Sequence, residues 1–130
     1  MVLDSRFVIE YFYSDSNETK QKATKKLKDL IQRKEGILPT IVISEIIQTV
    51  CEQIGREEAE ICYANLTQGE LKIQTLTSAI AKQAGLLRCK YRNIPMGDCV
   101  IAATAIVSQA YILSDDPHFD TLQEIKRSWI

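Results

Sequence analysis

"DCVIAATAIVSQAYILSDDPHF", Asp98 to Phe119, decides the fold. Its first twelve residues, Asp98 to Gln109, are helix-forming and apolar nearly all round. A helix without a polar face must be covered on every side, so it belongs in the middle of the molecule. "AYIL" follows as a short apolar strand. Two acids, Asp115 and Asp116, stand at the exit of that strand, ahead of Pro117. A buried helix feeding a buried strand is the repeating unit of a parallel sheet with helices on its faces.

The rest of the chain repeats the alternation. "MVLD" is a short strand ending at Asp4, and "RFVIEYF" a short amphipathic helix or turn. After the polar break "SDSNE", Thr19 to Glu35 reads as helix with Ala23, Leu27, Leu30 and Ile31 on one face, ended by Gly36. "ILPT" is a second strand. From Thr40 a helix carries the stripe Ile43, Ile46, Ile47, Val50, Cys51 and Ile54. Gly55 closes it, and "REEAEICYANLT" is the next helix, broken at Gly69. "ELKIQTL" alternates as a third strand. Thr77 caps a helix that aligns Ile80, Ala84, Leu87 and Tyr91 across Gly85. "HFDTLQEI" reads as a short helix and "SWI" as a final edge strand. The expected fold is α/β, a three-layer α/β/α sandwich with a mainly parallel sheet, in a single domain over residues 1–130.

Composition narrows the function. The formal net charge is −1, which speaks against a binder that holds nucleic acid by backbone neutralisation alone. No apolar run reaches the roughly 20 residues of a membrane helix, and no signal peptide is recognisable, so a cytoplasmic protein is expected. Cys51, Cys62, Cys89 and Cys99 form no C-x-x-C pair, and His118 is the only histidine. Zinc needs Cys and His clustered at short spacing, so the thiols are expected to be small buried hydrophobes. The glycines fall singly, which rules out a phosphate-cradling loop.

The acids carry the signal. Ligands of open parallel sheets bind beyond the carboxyl ends of the strands. Asp4 ends the first strand, and Asp115 and Asp116 the fourth. Glu45 lies about two turns into the helix after the second strand, between Ile43 and Ile46. Asp98 opens the buried helix. Singly, Asp4 and Asp98 could cap helices and Asp116 could serve a turn. Together they converge on one edge. Two carboxylates about 4 Å apart repel by roughly 1 kcal/mol in water and about 4 at a protein surface, so such a cluster needs protons or a cation. Oxygen ligands suit Mg²⁺ or Mn²⁺, which bind phosphates and serve phosphodiester hydrolysis.

"VLDSRFVIEYF", "ISEI", "GDCVIAATAI" and "ILSDDPHF", in this order and spacing, resemble the PIN-domain family, above all its small single-domain members such as the VapC-type toxins. The likeness runs from Val2 to Phe119. It implies a metal-dependent endoribonuclease acting on single-stranded RNA with Mg²⁺ or Mn²⁺. It places the four acids at Asp4, Glu45, Asp98 and Asp116, of which Asp4, Asp98 and Asp116 hold metal. Ser5, Ser114 and Asp115 are supporting residues, Ser114 orienting an acid or a water. Arg6 departs from the small polar residue common at its position, and pairing with a cleft acid, pointing away and holding a phosphate are all open to it. The resemblance also implies a homodimer, through helices around Thr40 to Leu66, and a cognate antitoxin. A second reading is an inactive PIN-like interaction module whose acids serve the fold or bind a partner's arginine. The lysine-rich helix from Lys20 to Lys28 and the basic run Lys82, Arg88, Lys90 and Arg92 read as solvated faces, and most of Tyr11, Phe12, Tyr13 and Tyr91 as core rather than base-stacking rings.

Overall fold

A computed structural model describes all residues, 1–130. Five strands form one sheet: β1 (Val2–Leu3), β2 (Ile37–Pro39), β3 (Lys72–Gln74), β4 (Ile112–Leu113) and β5 (Arg127–Ser128). Their order is β3-β2-β1-β4-β5 and every pairing is parallel. Six helices flank the sheet: α1 (Ser5–Tyr13), α2 (Asn17–Arg33), α3 (Thr40–Gln53), α4 (Arg56–Thr67), α5 (Ser78–Lys90) and α6 (Met96–Ser108). The fold class is the expected one, with the sheet wholly parallel. No helix is long and apolar enough to cross a membrane.

The unbroken apolar character of the central strands follows from their burial. Val2, Leu3, Ile112 and Leu113 are all fully buried, so β1 and β4 have no solvent face and no alternation. Against them lies α6, in which every residue from Cys99 to Ala105 is buried. Alanines at 102, 103 and 105 let the helix approach its neighbours closely. Its one buried hydroxyl, on Thr104, donates to the Val100 carbonyl at 2.8 Å and so is satisfied within the helix. The helix stops at Gln109, which takes the left-handed conformation (φ 52°).

Four details differ from the sequence reading. Helix α2 ends at Lys34, not Gly36: Lys34 adopts φ 57° and its amide reaches Ile31 and Leu30. Gly36 has a packing reason instead, because a Cβ there would come to 2.6 Å from Leu71 Cδ2. In α3 the buried stripe is Val42, Ile46 and Val50, an i, i+4, i+8 row. Cys51 and Ile54 fall outside it and are exposed, because α3 leaves that flank as a surface groove along α4. Cys89 is exposed as well, so only Cys62 and Cys99 are buried thiols. The fourth strand is just Ile112–Leu113, and the segment after it is a 3-10 turn, Pro117–Thr121.

The central position of α6 has a measurable consequence. Ile101, with no exposure, should lose about 2–5 kcal/mol on truncation to alanine. Val107 on the same helix is 51% exposed, and Val107→Ala should stay within about 0.5 kcal/mol of the parent in urea denaturation.

Candidate active site

The β1–β4 register builds the edge. Leu3 stands opposite Leu113, so the next residues, Asp4 and Ser114, leave the sheet side by side. The Asp4 amide donates to the Leu113 carbonyl at 3.3 Å. Both side chains are buried, and the Ser114 hydroxyl donates to Asp4 Oδ2 at 2.6 Å. Ser5 adds a longer contact to Asp4 Oδ1 at 3.4 Å. The same Ser114 oxygen accepts from the Asp116 amide at 3.0 Å. One hydroxyl thus ties the exit of the first strand to that of the fourth.

Asp116 and Asp98 meet at the 3-10 turn. Asp116 caps that turn, its Oδ1 accepting from the His118 amide at 2.9 Å. The turn folds the His118 ring back over the acids. Its Nδ1 lies 3.2 Å from Asp98 Oδ2 and 3.6 Å from Asp116 Oδ1. One ligand atom from each of Asp98, Asp116 and His118 lies within 4.8 Å of the others. Glu45, on the second turn of α3, faces the start of α6, where a Cβ on Gly97 would come to 3.4 Å from Glu45 Oε2.

The structural excuses for these acids mostly fail. Asp4 occupies the N-cap position of α1 yet makes no capping bond with its side chain. Asp98 is the third residue of α6, and no side chain caps that helix. Glu45 Oε1 is buried and has no hydrogen-bond partner. Only Asp116 does a cap's work.

Charge accumulates accordingly. Burial pushes Glu45 up to about 7, reinforced by the charges of Asp4 and Asp98. Asp4 is raised by burial, against the bond from Ser114, with Asp98 and Asp116 adding repulsion. Asp98 is raised by burial and by Asp116, opposed by its bond with His118. Each of the four acids therefore lies within electrostatic reach of at least two others.

Asp115 turns the other way. It pairs with Arg6 on the first turn of α1, outside the acid cluster. Arg6 thus holds none of the four central carboxylates. His118 is the residue that sequence reasoning set aside. Its signal was the Asp-Pro-His spacing: a Pro-led turn brings residue i+2 back over the carboxylate at i.

The comparisons agree with this architecture. The model of the PIN domain matches residues 1–125. The chain belongs to the PIN-domain family. Solved structures with the same fold include VapBC2 of Rickettsia felis bound to a promoter DNA fragment, at 16% identity and TM-score 0.77, covering 99% of this chain and 97% of that one. DNA-bound VapBC of Salmonella typhimurium matches at 14% identity and TM-score 0.78, covering 98% and 96%. VapC20 of Mycobacterium tuberculosis, a toxin that cleaves the sarcin-ricin loop, matches at 16% identity and TM-score 0.70, covering 92% of each chain. No curated protein sequence matches.

The raised acids of this PIN domain set a pH dependence. A carboxyl whose folded pKa is raised holds its proton more tightly folded than unfolded. Its stabilising contribution is complete below the ordinary carboxylate range and is lost as pH rises through the folded value, about 7 for Glu45. In chelator, the melting temperature should therefore fall between about pH 5 and pH 8, and Glu45→Gln should flatten that fall. Equal slopes for parent and variant would show that Glu45 ionises as freely folded as unfolded.

Proposed function

We propose that this PIN domain is a metal-dependent endoribonuclease that hydrolyses RNA phosphodiester bonds at the Asp4, Glu45, Asp98 and Asp116 cluster. The observation that carries the reading is the concentration of four carboxylates that no lysine or arginine pairs with, Glu45 Oε1 being buried and unpartnered. The donor set, carboxylate oxygens with one imidazole nitrogen, fits Mg²⁺ and, with the nitrogen, Mn²⁺.

Asp4, Asp98 and Asp116 are the residues that would hold the ion, with His118 beside them. When bound, the cation supplies positive charge to the phosphodiester and acidity to the attacking water. The chain supplies position and proton transfer. Ser114 fixes the Asp4 carboxylate by its short bond, and its contact with the Asp116 amide fixes the second acid relative to the first. Glu45, with its pKa near neutrality, suits the role of general base. It takes the proton of the attacking water as the water oxygen bonds to phosphorus and one bridging oxygen leaves.

Purified protein should cut a labelled single-stranded RNA pool with Mg²⁺ or Mn²⁺ and not in chelator. Asp98→Asn and Asp4→Asn should each lower the rate by about 10²-fold or more. Cleavage that persists in both variants, or in chelator, would remove the reading. Circular dichroism spectra of both variants should match the parent's, so that lost cleavage is separated from lost folding.

The reading extends to partners. The structural relatives include a toxin–antitoxin complex from Klebsiella pneumoniae, and we propose that this chain is likewise the toxin half of such a pair, blocked by a cognate antitoxin. Homodimerisation falls to the α3–α4 face, where Ile54, Ile61 and Tyr63 are 59%, 49% and 48% exposed. Light scattering should give a dimer that Ile61→Asp converts to a monomer. A parent that is monomeric across micromolar concentrations would exclude that face as a self-interface.

A further inference from the structure

Two guanidinium groups lie near the acid edge, and they are in opposite states. Arg127, on β5, has every edge occupied. Its Nε and Nη2 donate to the two oxygens of Asp120, each at 2.8 Å, and its Nη1 donates to the Ser114 carbonyl at 3.3 Å. It is a strut that holds the fourth strand's exit. Arg6 has one partner only: its Nε meets Asp115 Oδ1, and its two terminal nitrogens bond to nothing in the chain. The side chains of this pair are 54% and 37% exposed. A solvated ion pair of that kind contributes little to stability, so it does not explain the placement of Arg6.

The placement has three parts. Arg6 follows Asp4 by two residues, and its charge is felt together with those of Asp115, Asp116 and Asp4, in that order after the bond to Asp115. It therefore sits at the rim of the acid cluster, not elsewhere on the surface. A cavity of about 310 Å³ opens there, lined by Ser5, Arg6, Ile9, Glu10, Thr49 and Asp115. Thr49 stands one turn beyond Glu45 on α3. The cavity thus adjoins the acid edge on its α1–α3 side, and its lining sets two hydroxyl groups and the guanidinium fork beside the carboxylates of Glu10 and Asp115.

We infer that Arg6 binds a backbone phosphate of the RNA strand next to the one that is cut, with Asp115 orienting the guanidinium through Nε and leaving the terminal nitrogens to the phosphate. The inference rests on the ribonuclease reading and adds to it the residue that positions substrate. A polyanion approaching four carboxylates meets repulsion along its whole length. A fixed guanidinium beside the cluster gives it one point of purchase, and a planar fork matches phosphate in two bonds where lysine offers a point charge.

The test measures binding apart from cleavage. A labelled single-stranded RNA oligonucleotide is titrated by fluorescence anisotropy, with Mg²⁺ present throughout, into Asp98→Asn protein, with and without Arg6→Ala, over a series of salt concentrations. The expected result is an affinity lowered about tenfold and a salt slope reduced by about 0.7, the value for one phosphate contact on a single strand. Arg6→Lys should recover the slope and only part of the affinity. The same pair of proteins is then compared in an Asp115→Asn background. If Arg6 merely neutralises Asp115, the cost of Arg6→Ala disappears there. If it grips phosphate, the cost persists. In the cleaving protein, Arg6→Ala should raise KM with kcat little changed. Unchanged affinity and unchanged salt slope overturn the assignment of Arg6 while the nuclease reading stands. Failure of Asp98→Asn protein and parent alike to bind RNA with Mg²⁺ present overturns both.

Discussion

Val2 and Leu3 lie opposite Ile112 and Leu113 in parallel register, and the chain leaves both strands at the same edge. All else at the candidate site depends on that pairing. It sets Asp4 beside Ser114, residues 110 positions apart in sequence, and the 2.6 Å bond between them makes the two strand exits one unit. The pairing is stable because neither strand has a solvent face, and α6 covers the sheet with residues small enough to approach closely. A one-residue slip of β4 would bury Ser114 among apolar side chains and turn Asp116 away from Asp98.

The edge so built is electrostatically unfavourable by itself. Three of its four acids are held above their ordinary pKa, each chiefly by burial. Substituting Glu45 and Asp98 with neutral isosteres would relieve repulsion, so the fold alone gives no reason to retain those two as acids. Proteins that carry such local conflict commonly do so where function requires it. The chain also leaves the conflict unresolved where it could have resolved it. Arg6 and Arg127 both lie close by, yet they pair with Asp115 and Asp120, acids outside the cluster.

Much of this was legible in the sequence. The buried helix and the strand after it are unmistakable because Cys99 to Ile106 offers no polar face to solvent. Asp4 and Asp116 were legible because they end apolar runs, and Glu45 because a carboxylate between Ile43 and Ile46 has no easy structural use. What misled was local. Cys51 and Ile54 continue an apolar row, but periodicity does not say how far a neighbouring element extends, and α3 leaves them on an open flank. Lys34 takes the left-handed position that glycine usually occupies, so the nearby Gly36 drew the helix boundary two residues too far. His118 went unread as a site residue because its link to Asp98 spans 20 positions and depends on a 3-10 turn.

Charge distribution bears on how so acidic a site would receive the proposed polyanionic substrate. The chain as a whole is nearly neutral, at −1, so no long-range field draws RNA in, and attraction must arise locally. The lysines of α2 sit on an exposed helix face whose neighbours are polar residues of the same helix, with no link to the acid edge. Arg88 and Lys90 lie at the end of α5, and Lys90 is tied to Glu124. Arg6, by contrast, stands at the edge with its two terminal nitrogens free. On the proposed reading such a site would repel RNA until a cation neutralised its acids, and Arg6 would supply the second positive charge along the strand. Cation and substrate should therefore bind cooperatively, each lowering the electrostatic cost of the other, while the free protein carries little affinity for nucleic acid at large.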